Sequence, residues 1–149
     1  MSATELHEFE IGGVKYVASK LDAMKQFHVV RRLAPALTAL MPAAGFKALK
    51  NELEKSMTEA LPKFAEMLAG IKDEDAEFVI YGLLSCVKKR EEGGLGYAAI
   101  VVGNRLQYQD MSMPDMMKIA FKAGQINFRD FLDALPQTSS GANQTQKSQ

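Results

Sequence analysis

The sequence predicts an α+β protein that is mostly α-helical, with about five helical segments and two short β-hairpins. Through most of the chain, apolar residues recur every three or four positions, which is the spacing of one helical face. Two alternating stretches are each interrupted by a turn-forming pair, Gly12-Gly13 in the first and Gly103-Asn104 in the second. Whether the two hairpins share one sheet stays open at this stage.

Composition argues against several classes of protein. The 18 basic and 18 acidic residues balance, whereas a general nucleic-acid binder or a polybasic membrane binder needs a cationic surplus. The single cysteine, Cys86, excludes an internal disulfide, and its apolar neighbours predict a buried, inert thiol. No apolar run reaches the roughly 18 residues that span a bilayer, and the N-terminus lacks a signal-peptide pattern. We therefore expect a soluble intracellular protein.

The length of 149 residues fits one domain with a single core, which we predict over residues 1–135. Residues 136–149 carry one charge and no large apolar side chain. They bury too little surface to offset the entropy of ordering, so this tail is predicted to be disordered.

The first hairpin is predicted over residues 7–11 and 14–18, with Phe9 opposite Tyr16. A helix follows, capped by Ser19 or Asp22. Pro35 lies inside its pattern and predicts a kink or break at the preceding residues. The apolar side chains of its predicted face are Leu21, Met24, Phe27, Val30, Leu33, Leu37 and Leu40.

Two further helical patterns occupy the middle of the chain. The first runs from Phe46 to Gly70, where Pro62 is predicted to be the first residue of a second, shorter helix. The next opens at Asp73 and continues to Glu92 with almost no polar face, which is typical of a buried central helix.

The second hairpin is predicted from strands over 97–102 and 105–108. Ser112 begins a helix that is expected to end at Gly124. Asn127 is then expected to cap a last short helix.

No sequence motif for catalysis or for cofactor binding is present. The chain has no nucleotide-binding glycine pattern, no HExxH, no CxxC and no GxSxG. His7, His28 and Cys86 are too scattered for a zinc site. We expect no catalytic, metal or cofactor site and no enzymatic activity.

Charge is distributed unevenly along the chain. Residues 20–50 carry six basic residues and one acidic residue, whereas residues 51–80 carry eight acidic and three basic residues. Among the basic residues, His28, Arg31 and Arg32 fall on one helical face. They form a carboxylate-recognising patch, or a solvated helix face, or an internal ion pair to the acidic helices.

Methionine and phenylalanine residues cluster near the C-terminus, and methionine side chains are flexible. They suit a surface that accepts varied apolar partners, although filling of the core is the commoner use. The last helix either packs on the core or is captured by a partner. The candidate partner-binding residues are Met111, Met113, Met116, Met117, Phe128 and Phe131.

The stretch FEIGGVKYVASKLDAMKQFHVVRRLAPAL resembles the opening of phage tail assembly chaperones from long-tailed bacteriophages. The resemblance lies in a small hairpin followed by the segments 20–23 (KLDA), 26–28 (QFH) and 31–35 (RRLAP). A weaker similarity extends to about residue 135.

This resemblance implies a non-enzymatic protein that binds the tape measure protein, prevents its aggregation and helps to recruit tail tube subunits. It would act in the bacterial host cytoplasm and be absent from the mature virion, without nucleic acid or membrane as a partner; self-association stays open. The motif residues are expected to be mainly structural, with Phe27 in the core, Pro35 setting a bend, and His28 and Arg31 bonding carbonyls or acidic residues. Arg32 is assigned to the same structural motif.

Two alternatives remain. The chain could be a structural tail component, a terminator or an adaptor, that is retained in the virion. It could also be a small regulator that binds nucleic acid through Arg31, Arg32, Lys47 and Lys50, which requires salt-sensitive binding.

Overall fold

The computed structural model describes residues 5–40, 51, 54–91, 93–94 and 96–134, with side chains for all of these except 37–40 and 130–134. The elements are β1 (His7–Ile11), β2 (Val14–Ala18), α1 (Ala23–Leu40), α2 (Met57–Ala69), α3 (Asp73–Leu84), β3 (Val87–Arg90), β4 (Tyr97–Ala99), β5 (Val101–Val102), β6 (Arg105–Leu106) and α4 (Met113–Ala134). The predicted α+β class is confirmed, with four helices among the described residues. The predicted disordered tail lies outside them.

Four antiparallel strands form the larger sheet, in the order β1-β2-β3-β4. The first hairpin has the predicted register, and the rings of Phe9 and Tyr16 stack with centroids 5.6 Å apart. One side of this sheet, which includes Tyr16, Ala18 and Val87, packs into the same hydrophobic core as the helices. The sheet and the helices therefore share one core.

The predicted helix from Asp73 to Glu92 is wrong in its second half. It ends at Leu84, and Val87–Arg90 forms β3 between β2 and β4. An apolar run fits a buried strand as well as a buried helix, so periodicity alone could not place this boundary. Here Val87 pairs with Ala18, and both are fully buried. Pairing of β3 with β2 on one side and with β4 on the other replaces the last turns of the predicted helix.

The second hairpin is confirmed in a shorter form, β5–β6. Its turn residues Gly103 and Asn104 have φ values of 57° and 61°, as a two-residue turn with positive φ at both positions requires. The predicted strand 97–102 is two strands, because β4 pairs with β3 whereas β5 pairs with β6. Ile100 lies fully buried between them. The two hairpins therefore belong to separate sheets.

Neither proline that was predicted to interrupt a helix ends one: the break at Pro62 is wrong, and at Pro35 the break that was predicted as an alternative to a kink does not occur. Helix α1 continues through Pro35, whose neighbours Leu33 and Ala36 are buried and anchor both halves of the helix. Helix α2 begins after Ser56, whose Oγ accepts a hydrogen bond from the Glu59 N–H, and Pro62 lies inside it. The predicted beginning at residue 46 lies outside the described residues.

The two helices predicted after Ser112 are a single helix, α4. The helix does not end at Gly124, and no new helix begins at Asn127, because both residues are buried against the rest of the protein. The Asn127 side chain accepts the Leu21 N–H at 2.6 Å instead of capping its own helix. Within the described residues, this merger lowers the number of helices by one relative to the prediction.

The core-facing side of α1 differs from the prediction. Val29, Leu33 and Ala36 are buried, whereas Met24 is 61% exposed and Phe27 is 53% exposed. Assigning Met24 and Phe27 to the core was therefore wrong. Apolar residues spaced by three and four positions occur on two sides of α1. The side that contains the β-branched Val29 is the one that packs against α2 and α3 and is therefore buried.

Replacing Gly124 by alanine is expected to raise the free energy of unfolding by about 0.5–1 kcal/mol, because alanine loses less backbone entropy in a helix. A Cβ at Gly124 would lie 3.9 Å from Leu83 Cδ1, an ordinary van der Waals distance. Urea denaturation measures the change. Gly82→Ala is the control: its Cβ would lie 3.2 Å from Val29 Cγ2 and is expected to give no gain. Destabilisation by Gly124→Ala would contradict the continuous helix.

Candidate functional site

An open groove of about 750 Å³ lies between the turn of the first hairpin, α2 and the first turns of α4. Its wall is mostly apolar and includes Ile11, Met57, Leu61, Ala65, Met113 and Met117. We call this site the methionine groove. It brings together residues that are far apart in the sequence.

Helix capping positions both helical walls of the groove. On α2, Met57 follows the Ser56 cap, and Leu61 and Ala65 follow at intervals of four residues, which places them on one face. On α4, the Ser112 Oγ accepts the Asp115 N–H at 3.2 Å and fixes the first turn. Met113 and Met117 then lie one turn apart along the groove.

Some side chains in the groove are held in place by packing, and others are exposed and flexible. Met57, Leu61 and Met117 are half-buried and pack against the core, so their positions are constrained by the fold. Met113 is 66% exposed. Unbranched thioether side chains change shape at little cost, and this suits contact with apolar partners of varied shape.

The structure separates the four candidate methionines into two pairs. Met113 and Met117 line the groove, whereas Met111 and Met116 are half-buried against the core and do not line it. Phe128 also packs against the core. The side chain of Phe131 lies outside the described residues.

The opposite wall of the groove was not predicted from the sequence. Met57 and Leu61 fall within the helical pattern predicted from Phe46 to Gly70, and Ile11 falls within a predicted strand. Their spacing gave the correct secondary structure, but no local pattern shows that α2 and the hairpin turn face the beginning of α4.

Some residues of segments 26–28 and 31–35, which carry the family resemblance, hold the fold together. The Arg32 Nη1 donates to Asp75 Oδ1 at 2.8 Å, and its guanidinium lies 4.3 Å from the Phe78 ring centroid. The Gln26 side chain donates to Asn127 Oδ1 at 3.1 Å. For Arg32, the predicted internal ion pair to the acidic helices is confirmed.

The other motif residues lie on the outer side of α1. Phe27 contacts His28 with ring centroids 5.4 Å apart, and His28 Nδ1 lies 3.5 Å from Arg31 Nη2. The expected core position of Phe27 was wrong. The expected bonds from His28 and Arg31 to carbonyls or acidic residues are not seen among the described residues, and Pro35 is exposed. Lys47 and Lys50 lie outside those residues.

Cys86 lies beside the Asn127 amide and is half-buried, whereas full burial was predicted. Its Sγ donates to the Leu83 carbonyl oxygen at 3.1 Å and accepts from Asn127 Nδ2 at 3.5 Å. Burial raises the pKa of the Cys86 thiol, although the hydrogen bond from Asn127 opposes part of this effect.

Alkylation of Cys86 by iodoacetamide is expected to be slow in the folded protein. The thiolate is the reactive form, and a raised pKa lowers its fraction at any given pH. The pH at which the alkylation rate reaches half of its maximum should therefore be higher for the native protein than for the protein unfolded in urea. Coinciding profiles would show that burial does not control this thiol.

Two general features of the described residues bear on function. They contain no group of three or more His, Cys, Asp or Glu side chains placed to hold a metal ion. No helix in the described ranges is long and apolar enough to cross a membrane.

Comparison with known proteins gives one positive result. No curated protein and no solved structure matches the chain. A family described as phage tail assembly chaperone protein, TAC, matches residues 12–141. This range covers the two helical walls of the methionine groove, though not Glu10 and Ile11, and it covers segments 26–28 and 31–35. The chain therefore belongs to the phage tail assembly chaperone family.

Proposed function

We propose that this protein binds the tape measure protein during tail assembly, keeps its apolar surface from aggregating and helps to recruit tail tube subunits. The methionine groove carries the proposal, because it is an apolar surface open to solvent in a member of a chaperone family. This activity needs no catalysis, and we propose that the protein acts as a binding partner alone.

The apolar lining of the open groove suits an amphipathic helix. An α-helix with side chains is about 10 Å across, and its apolar face presents side chains at intervals of three and four residues. Met113 and Met117 are themselves spaced by four residues along one wall. A client helix lying along α4 would place successive apolar side chains against this pair.

Charged residues flank the apolar surface of the groove. Glu10 lies on the hairpin side and Lys118 on the α4 side. Polar groups at the edge of an apolar site contribute to orientation more than to affinity. We propose that these two charges orient the client, while the methionines supply contact area.

The proposed site of action is the host cytoplasm before the tail is complete. Mass spectrometry of purified virions distinguishes this role from that of a retained terminator or adaptor. We expect the protein to be absent from virions. Its stoichiometric presence would instead support the structural alternative.

Co-expression with fragments of the tape measure protein tests the binding itself. The full chain carries an affinity tag, and the soluble and retained amounts of each fragment are measured with and without it. Soluble fragments that co-purify with the chain are expected. Failure of all fragments spanning the tape measure protein to co-purify would contradict the proposal.

A further inference from the structure

The outer side of α1 carries a second apolar surface. Met24, Phe27, His28 and Arg31 are spaced by three, one and three residues, which places them along one side of the helix. We call this set the α1 stripe. Met24 is 61% exposed and Phe27 is 53% exposed, although both are large apolar side chains. None of the four residues lines the methionine groove.

The side chains of the α1 stripe are arranged by contacts with one another. The Phe27 and His28 rings meet at an interplanar angle of 57°. The His28 Nδ1 lies 3.5 Å from Arg31 Nη2, which holds the guanidinium close to the two rings. The stripe therefore presents exposed apolar side chains with a planar cationic group at one end.

The two adjacent arginines have different environments. Arg32 is committed to the fold through its ion pair with Asp75 and its contact with Phe78. Within the described part of the chain, Arg31 has no carboxylate partner, and its Nη2 lies 3.5 Å from His28 Nδ1. An exposed arginine beside exposed aromatic surface is a frequent feature of protein interfaces.

Local charge indicates which partner fits this surface. The first turns of α1 carry Lys25 and Arg31, and the one acid next to them along the chain is Asp22. The Asp22 carboxylate already accepts the Lys25 N–H at 2.8 Å as the helix cap. The surroundings of the stripe are thus cationic, which favours an acidic partner.

We infer that the α1 stripe docks an acidic amphipathic helix of a partner protein. An apolar side chain of that helix lies on Met24 and Phe27, and a carboxylate one turn away receives the Arg31 guanidinium fork. Because the stripe and the methionine groove share no residue, the protein is able to hold two segments at once. The inference does not depend on which client occupies the groove.

Two designed helical peptides test this inference. They have the same apolar residues at positions i, i+3 and i+7, and they carry glutamates or lysines at the flanking positions. Fluorescence anisotropy measures their binding to the full chain and to three variants. These are Phe27→Ser, Arg31→Glu and, as an exposed apolar control on another surface, Val102→Ser, whose parent side chain is 57% exposed.

The glutamate peptide is expected to bind more tightly than the lysine peptide. Phe27→Ser should weaken its binding by about tenfold, as for a central interface aromatic, and Val102→Ser should leave it unchanged. Arg31→Glu should reverse the preference between the two peptides. Circular dichroism should show native helix content in each variant, because the three replaced side chains are exposed.

Equal affinity for both peptides, or no binding of the glutamate peptide, would overturn the inference. So would an effect of Val102→Ser as large as that of Phe27→Ser. If Phe27→Ser instead dissociates a dimer of the protein alone in sedimentation analysis, the stripe is an interface between copies and the inference is wrong. Salt-sensitive nucleic-acid binding that Arg31→Glu removes, without any peptide binding, would also reject it. Each outcome leaves tape measure binding through the groove as a separate question.

Discussion

Replacing Asn127 by alanine is expected to lower the free energy of unfolding by about 2–4 kcal/mol, because it removes several hydrogen bonds of one buried side chain. Asn127 is 2% exposed. Its Oδ1 accepts from the Leu21 N–H at 2.6 Å and from the Gln26 amide at 3.1 Å. Its Nδ2 donates to the Ala123 carbonyl oxygen at 2.9 Å.

The large cost arises from the partners left behind. Alanine cannot accept the Leu21 N–H, which precedes the first turn of α1, so a partly buried donor loses its partner. The same change removes the hydrogen bond between the Gln26 and Asn127 side chains of α1 and α4, while the 3.3 Å bond from the Gln26 amide to the Asn127 backbone carbonyl remains possible. Urea denaturation monitored by circular dichroism measures the loss.

Gln107→Ala provides the control for Asn127→Ala. The exposed Gln107 amide makes one local side-chain hydrogen bond, to the Arg105 carbonyl oxygen, so its loss should cost less than about 0.5 kcal/mol. Equal effects of the two substitutions would show that Asn127 does not connect the two helices in the manner described.

Replacing both Met113 and Met117 by glutamine is expected to reduce affinity for tape measure fragments by about tenfold or more, because adjacent anchors in an apolar groove carry much of the binding energy. Glutamine has nearly the length of methionine but places an amide where the client would bury apolar surface. Affinity for purified fragments is measured by isothermal titration calorimetry.

Val102→Gln is the matched control for the groove variant, since it adds an amide at an exposed apolar position outside the groove. It should leave fragment affinity unchanged. The unfolding transition of the double variant must also remain cooperative, because Met117 is packed against the core. Unchanged affinity in a folded double variant would exclude the methionine groove as the binding site.

Local chemistry predicted much of the fold. The Gly12-Gly13 hairpin and its register, the Gly103-Asn104 turn, and the beginnings of α3 and α4 all depend on residues within a few positions of one another. Such features are set by turn and capping preferences, which a sequence displays directly. For this reason they could be identified before any contact was known.

Features that depend on long-range contacts were predicted incorrectly. Val87–Arg90 is a strand because β2 and β4 lie on either side of it. Gly124 remains helical because α4 packs against α3, where Leu83 lies close to it. In both cases the free energy of the local preference for ending or continuing a helix is smaller than the free energy that burial in tertiary packing provides.

The candidate site was predicted only in part. Met113 and Met117 were identified by their clustering, but Met111 and Met116 differ from them only in the direction they face on the folded chain. The resemblance to tail assembly chaperones was confirmed by the family match over residues 12–141. It did not show that one arginine of the RRLAP segment is structural and the other is exposed.

If this protein shields apolar surface of the tape measure protein by non-covalent binding, it should suppress the aggregation of that protein, which light scattering follows. Denatured tape measure protein is diluted into buffer with the wild-type chain, with the Met113→Gln/Met117→Gln variant, or with buffer alone. The wild type is expected to suppress scattering, and the double variant is expected to suppress it far less. Identical scattering with and without the wild-type chain would show that the protein does not shield this surface.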